Sequence, residues 1–191
     1  MKGFIREAFK IIEEAGVEGL SLRDVARRLG VSHQAPYKHF PSRDHILAEI
    51  LARSFDEFAA FLGSRPPSDE PTSDLKAMGM LYMEYARKHP LKYRLMFNTP
   101  MPEPKQHPGM MRNAQRAFAL LRERLEQMPL RIVDEPSPSS ASLDALFVWS
   151  TLHGLASILQ SDTLQTLHLS EKEKRQAITR CFARLSLALE P

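Results

Sequence analysis

A chain of 191 residues, 43% hydrophobic and with a formal charge of +3, can bury a core of ordinary size in one or two small domains. One cysteine, Cys181, excludes an internal disulfide. No apolar run approaches the ~20 residues that cross a bilayer, and Met1 to Phe4 leads into an amphipathic segment rather than a signal peptide, so a soluble, cytoplasmic protein with no membrane partner is expected.

The first element is a helix carried by Ile5, Ala8, Phe9 and Ile12 and stopped by Ala15-Gly16. Ser21 then precedes the apolar-periodic set Leu22, Val25, Ala26 and Leu29, with Asp24 three residues on, a variant of the capping box that starts a second helix. Gly30 stands where a helix can end in a left-handed residue, and Ala26 is small enough to let another helix cross closely. Gly30-Val31-Ser32 is therefore a tight turn. Ser32 can cap a further helix whose exposed side, His33, Gln34, Lys38 and His39, offers donors to phosphates and base edges, with Tyr37 and Phe40 as its apolar anchor. Pro36, at the fourth position, would forfeit one backbone bond.

Charge is concentrated here. From Ser21 to Arg43 the bases Arg23, Arg27, Arg28, Lys38 and Arg43 stand against Asp24 alone, 5 − 1 = +4. The first helix carries Glu7, Glu13 and Glu14 and is expected to face away from a polyanion, leaving Lys2 and Arg6 to touch it.

Beyond Ser42 the periodicity is helical almost everywhere, and no alternating run reads as a strand. A long helix from about Ser42 to Leu62 should couple this head to the remainder of the chain. Pro66, Pro67 and Pro71 interrupt it, Asp74 to Lys88 resumes as a helix ended by His89-Pro90, and a short helix spans Leu91 to Phe97. Four prolines make Asn98 to Gly109 a loop, Met110 to Gln127 is helical, and Pro129 to Ser142 reads as an exposed linker. Two helices close the chain, Leu143 to about Asp162 and Ser170 to Leu189, the second opened by the capping box Ser170-x-x-Glu173.

The stretch Ile5 to Leu51, with its GVS turn, Tyr-x-His-Phe and Pro-Ser-Arg-Asp, resembles the N-terminal DNA-binding domain of the TetR family of bacterial transcriptional regulators. Pro36 departs from the aliphatic residue common there, but Ala-Pro occurs in a subset with a C-terminal Trp, His, Gly signature, which Trp149, His153 and Gly154 match; Leu81 to Phe97 looks like that subset's paired helices around a His-Pro break. The resemblance implies that Tyr37, Lys38, His39, Ser21 and Arg43 contact phosphates, while His33 and Gln34 are the candidate base readers, Gln34 because its amide can pair bidentately with adenine. It also implies an effector site among the C-terminal helices, for which Met80, Met83, Met96, Phe97, Phe118, Trp149 and His153 are the candidates, adaptable methionines and aromatics suiting an apolar or aromatic small molecule as well as they suit a core. The apolar faces of the last two helices, with Ile158, Ile178, Cys181, Phe182, Leu185 and Leu189, are the candidate homodimer interface.

No histidine pair has the i, i+4 spacing of a helical zinc site, Cys181 has no cysteine companion, and there is no nucleophile elbow or glycine-rich phosphate loop, so no metal, cofactor or enzymatic activity is expected. The expected protein is all-α: an N-terminal helix-turn-helix domain over residues 1–50 and a helical effector-binding and dimerisation domain over 51–191. As a dimer it would repress from a palindromic operator on double-stranded DNA; the alternative is an effector-independent DNA- or partner-binding module.

Overall fold

The computed structural model describes residues 1–66, 68–128 and 140–189, which are helical with no strand among them. The helices are α1 (Lys2–Ala15), α2 (Leu22–Arg28), α3 (Arg43–Leu62), α4 (Pro71–Lys88), α5 (Pro90–Phe97), α6 (Pro108–Glu126), α7 (Ser140–Leu159), the short α8 (Asp162–Gln165) and α9 (Glu171–Leu189). They form two compact units, Met1–Glu57 with Leu91–Gln115, and Phe58–Pro90 with Arg116–Pro191.

In the first unit α1 buries Ile5, Ala8, Ile11 and Ile12 and α2 buries Leu22, Val25 and Ala26, the three- and four-residue spacing that puts each set on one face. Ile46, Leu47, Ile50 and Leu51 of α3 complete that core. Phe55 meets the Phe97 ring edge-on at 5.9 Å, and Asn113 donates to the Ala52 carbonyl at 2.9 Å, which ties the start of α6 to α3.

In the second unit α4, α7 and α9 pack on one another through Leu75, Met78, Val148, Leu152, Phe182 and Leu185, all buried. Asp74 sits in this interior because Ser68 donates to it twice, from its backbone N–H at 2.7 Å and its hydroxyl at 2.9 Å, with Arg124 at 3.8 Å. These bonds hold its carboxyl below the ordinary range, the Ser68 backbone N–H contributing most.

Several expectations need revision. Helix α4 begins at Pro71 rather than Asp74, since a proline in the first turn gives up a donor that has no intrahelical acceptor anyway. The loop Asn98 to Gly109 contains a 3₁₀ turn, Pro104–Gln106. Of the expected linker Pro129 to Ser142, residues 129–139 lie outside the described residues, and 140–142 are the first turn of α7. By length and composition α7 is apolar enough to cross a membrane, with mean hydropathy 1.3, contrary to the reading that no run approaches this; only 22% of its most apolar window is buried within the protomer.

Candidate functional site

Helix α2 ends in a double-bonded turn. Gly30, at φ 65°, donates to the Arg27 carbonyl at 3.1 Å and Val31 donates to the Ala26 carbonyl at 3.0 Å, the pairing of a Schellman motif that needs a residue tolerant of left-handed geometry. The turn thus forms where the glycine pattern puts it. Ser21 takes the extended N-cap geometry, but its side chain makes no capping bond.

The segment after the turn differs from the continuous helix expected. Ala35 donates to the Ser32 carbonyl at 2.9 Å, three residues back, and Pro36–Lys38 is a single 3₁₀ turn. The cause is Pro36: without an N–H it cannot return a four-residue bond to Ser32, so the backbone tightens to the three-residue pattern. The Gln34 backbone N–H donates to the Ser32 hydroxyl at 3.3 Å, but no α-helix follows it directly, and the 3₁₀ turn begins after Ala35 without a side-chain cap. Pro36 and Phe40 are buried and anchor this segment, whereas Tyr37, expected as an anchor, is 42% exposed. His33, Gln34, Tyr37, Lys38 and His39 are all exposed, so the structure brings five of the candidate DNA contacts onto one open stretch. The His39 ring lies 5.7 Å from Phe4 and 6.3 Å from Phe40.

Ion pairing alters the charge count. Arg28 binds Glu14 at 2.7 Å and Glu7 at 3.7 Å, both from α1; the hydrogen bond lowers the Glu14 carboxyl and raises the Arg28 guanidinium. Arg27 pairs with Asp24 at 3.1 Å, and Arg43 reaches Glu18 at 3.4 Å while donating to the Val17 carbonyl at 2.7 Å. Three of the five local bases are therefore answered by acids, two of them by acids outside the counted segment. Arg23 and Lys38 have no ion-pair partner among the described residues. The acids of α1 are thus not simply turned away: Glu7 and Glu14 set the position of Arg28.

In the second unit, Phe118, Trp149 and His153 form a chain of rings at 6.0 and 6.3 Å. His153 Nδ1 is 3.2 Å from the Tyr82 hydroxyl and Nε2 is 3.5 Å from the Ser157 hydroxyl, while burial lowers the ring's pKa and favours the neutral form. Tyr82 belongs to the methionine- and aromatic-rich set of the C-terminal helices, where a tyrosine signals core as readily as site. Met83 is buried and Met80 is 48% exposed, both on a cleft beside α9. Met96 and Phe97 belong to the first unit, where Met96 is buried and Phe97 packs on Phe55 and Tyr93.

Of the candidate interface residues, Ile158 is exposed, Ile178 and Cys181 are half-buried, and Phe182, Leu185 and Leu189 fill the protomer's own interior. Leu187, on the same apolar side of α9, is exposed, and so are Leu143, Leu146 and Phe147 of α7, which were not among the candidates. The signal for the three in α7 was the high apolarity of residues 143–159, more than one buried face requires. Burial raises the Cys181 thiol, so it is a poor nucleophile. Among the described residues no three His, Cys, Asp or Glu side chains gather to hold a metal ion.

Comparison with known proteins agrees with this architecture. Residues 4–50 match the family described as bacterial regulatory proteins, tetR family, and residues 75–184 match the tetracyclin repressor-like C-terminal domain. The HTH-type transcriptional regulator Mb1846 of Mycobacterium bovis is 29% identical over 90 residues, which cover 46% of this chain and 38% of that protein. The HTH-type transcriptional repressor KstR of Rhodococcus jostii is 29% identical over 86 residues, covering 45% and 39%. The chain thus matches less than half the length of these curated relatives. A solved structure of a protein of unknown function from Rhodococcus sp. RHA1 has the same fold, with a TM-score of 0.79 at 23% identity over 100% of this chain and 95% of that one. With the helix-turn-helix match at one end and the C-terminal domain match over more than half of its length, the chain belongs to the TetR family of bacterial regulatory proteins.

Proposed function

We propose that this chain is a DNA-binding transcriptional repressor that acts as a homodimer on a palindromic operator in the cytoplasm and is released by a small apolar or aromatic effector. Residues 1–50 bind DNA; residues 51–191 take the effector and pair the protomers. The observation that carries the reading is the glycine-locked turn at Gly30 followed by the open row from His33 to His39. Gln34 and His33 read base edges, and Ser21, Tyr37, Lys38, His39 and Arg43 hold phosphates. Arg43 does so more weakly than Lys38, because it is already engaged with Val17 and Glu18.

One such segment reads only a few base pairs, so two copies held about one helical turn apart supply the specificity. Pairing through α7 is supported by Leu143, Leu146, Phe147 and Ile158, 45 to 65% exposed in the protomer. Gly154 lies on the Phe147 and Ile158 side of that helix, and a Cβ there would meet nothing within 4 Å, so packing inside the protomer does not call for a glycine. Close approach of a second α7 does. Cys181 and Ile178 border this pairing from α9, with Phe182, Leu185 and Leu189 backing it from beneath.

The effector site is assigned to Phe118, Trp149 and His153 with Met80 and Met83, in keeping with the subset marked by Trp149, His153 and Gly154. An effector that bound both conformations equally would shift nothing, so it must prefer the one unable to hold DNA. Selection of binding sites from random duplexes, followed by anisotropy titration, tests the core of the proposal. The expected product is a two-fold site, and Gln34→Ala is expected to weaken it by ~1–3 kcal/mol without changing non-specific binding. Recovery of no preferred sequence, or equal loss on all sequences, would refute it.

A further inference from the structure

Helices α4, α7 and α9 border an open cleft of about 600 Å³, within the roughly 300–1,000 Å³ range of small-molecule sites. Its floor is apolar, with Met80 and Met83 from α4, Leu159 from α7 and Ile178 from α9. The five charged side chains that line it sort unevenly. Glu84 is bound by Lys88 at 2.6 Å and Glu171 by Lys174 at 2.7 Å, and these contacts lower both carboxyls. Arg87 and Arg175 stand exposed on opposite sides, on α4 and α9, and neither has an ion-pair partner among the described residues. Arg87 and Arg175 add a weaker electrostatic pull on Glu84 and Glu171 without bonding to either, so the cleft's three cations, Lys174 included, outnumber its two carboxylates.

We propose that this cleft binds an amphipathic monocarboxylate, its apolar body on Met80, Met83, Leu159 and Ile178 and its carboxylate between Arg87 and Arg175. The planar fork of arginine suits a carboxylate, and a preformed apolar floor supplies affinity that a rim charge in water alone does not. A fully apolar occupant would leave the cleft's excess positive charge unused, and a cation would be repelled by it. On α7 the cleft and the proposed pairing face are separate, since Ala156 and Gln160, which line the cleft, project from the side opposite Gly154 and Ile158; on α9 the two meet at Ile178. The inference sharpens the effector reading at Met80 and Met83 and rests on it only for a regulatory role, since binding is measured without DNA.

Calorimetry on the full chain with decanoate, decanol and acetate separates tail from charge. Decanoate is expected to bind at least about tenfold more tightly than decanol or acetate, a gap that narrows as salt rises. Arg87→Gln and Arg175→Gln should each weaken decanoate about fivefold or more, with thermal unfolding unchanged because both side chains are exposed. Ile178→Trp, which fills the floor, should abolish it. Decanol binding as tightly as decanoate, or wild-type affinity in the double arginine variant, would overturn the proposal. So would failure of decanoate to bind combined with a shift of the double variant's monomer–dimer balance, which would mean that a second protomer covers the cleft. If decanoate binds as described but leaves DNA affinity unchanged, the cleft stands and the effector reading of Met80 and Met83 falls. If DNA binding is normal and the arginine replacements leave decanoate binding unaltered, the cleft proposal falls and the DNA-binding reading stands.

Discussion

Gly79 of α4 lies so close to Phe182 of α9 that a Cβ on the glycine would stand 2.5 Å from the ring's Cε1 and 3.3 Å from Leu152 Cδ1. Only a hydrogen fits there, and the α4–α9 crossing depends on it. Gly79→Ala must push the buried Phe182 ring out of place, an overpacking expected to cost ~1–3 kcal/mol. Denaturant unfolding measures it; a midpoint equal to wild type would mean that the ring moves aside freely.

Gly154 is the contrasting case, with open space where its Cβ would be. Gly154→Leu should leave the protomer's helicity by circular dichroism unchanged while shifting sedimentation from dimer to monomer and weakening two-fold operator binding by about tenfold or more. A stable dimer in this variant would remove α7 from the pairing face.

Arg28 and Lys38 test what the ion pairs do to DNA binding. Lys38→Gln should reduce the slope of log affinity against log salt by about 1, the signature of one lost phosphate contact. Arg28→Gln should leave the slope as it is, because Glu14 and Glu7 already hold that side chain. Equal slope losses would show that the α1 pairs open on DNA.

Asp74 and His153 both report on the acid side of neutrality, in different pH windows. The Asp74 carboxyl is held below its ordinary value of 3.8, so its contribution to stability is present above that pH and is lost as pH falls through the lower folded value. Asp74→Asn should lower the melting temperature at pH 7 and narrow the gap to wild type under acid. His153, lowered from 6.5 by burial, likewise favours the folded state above its unfolded value and loses that contribution as pH falls. Trp149 is the chain's only tryptophan and its ring lies 6.3 Å from His153, so acid quenching of its fluorescence should have a midpoint below 6.5. A midpoint at or above 6.5, or no effect in His153→Gln minus wild type, would contradict the buried neutral ring.

Much of this was legible in the residue order. Periodicity gave the long helices to within a few residues, Gly30 the turn and Ser170-x-x-Glu173 its cap, in which Ser170 and Glu173 bond reciprocally at 2.8 and 3.3 Å. Each is a local pattern in which the side chains that fix the backbone are neighbours in sequence. The 3₁₀ turn was foreshadowed by Pro36, whose missing donor is a local fact, although its consequence for the whole segment appears only when the Ser32 and Pro36 carbonyls find their partners.

What lay out of reach was every property set by residues distant along the chain. A count of bases from Ser21 to Arg43 could not foresee that Glu14 and Glu18 answer two of them. The apolar pattern of α9 marked Phe182, Leu185 and Leu189 as needing cover but not that Gly79 and α7 provide it within the same protomer. Helical spacing determines which side chains share a face, because that is set by the backbone's own repeat; which face meets which is decided by packing and charge pairing between segments far apart in sequence.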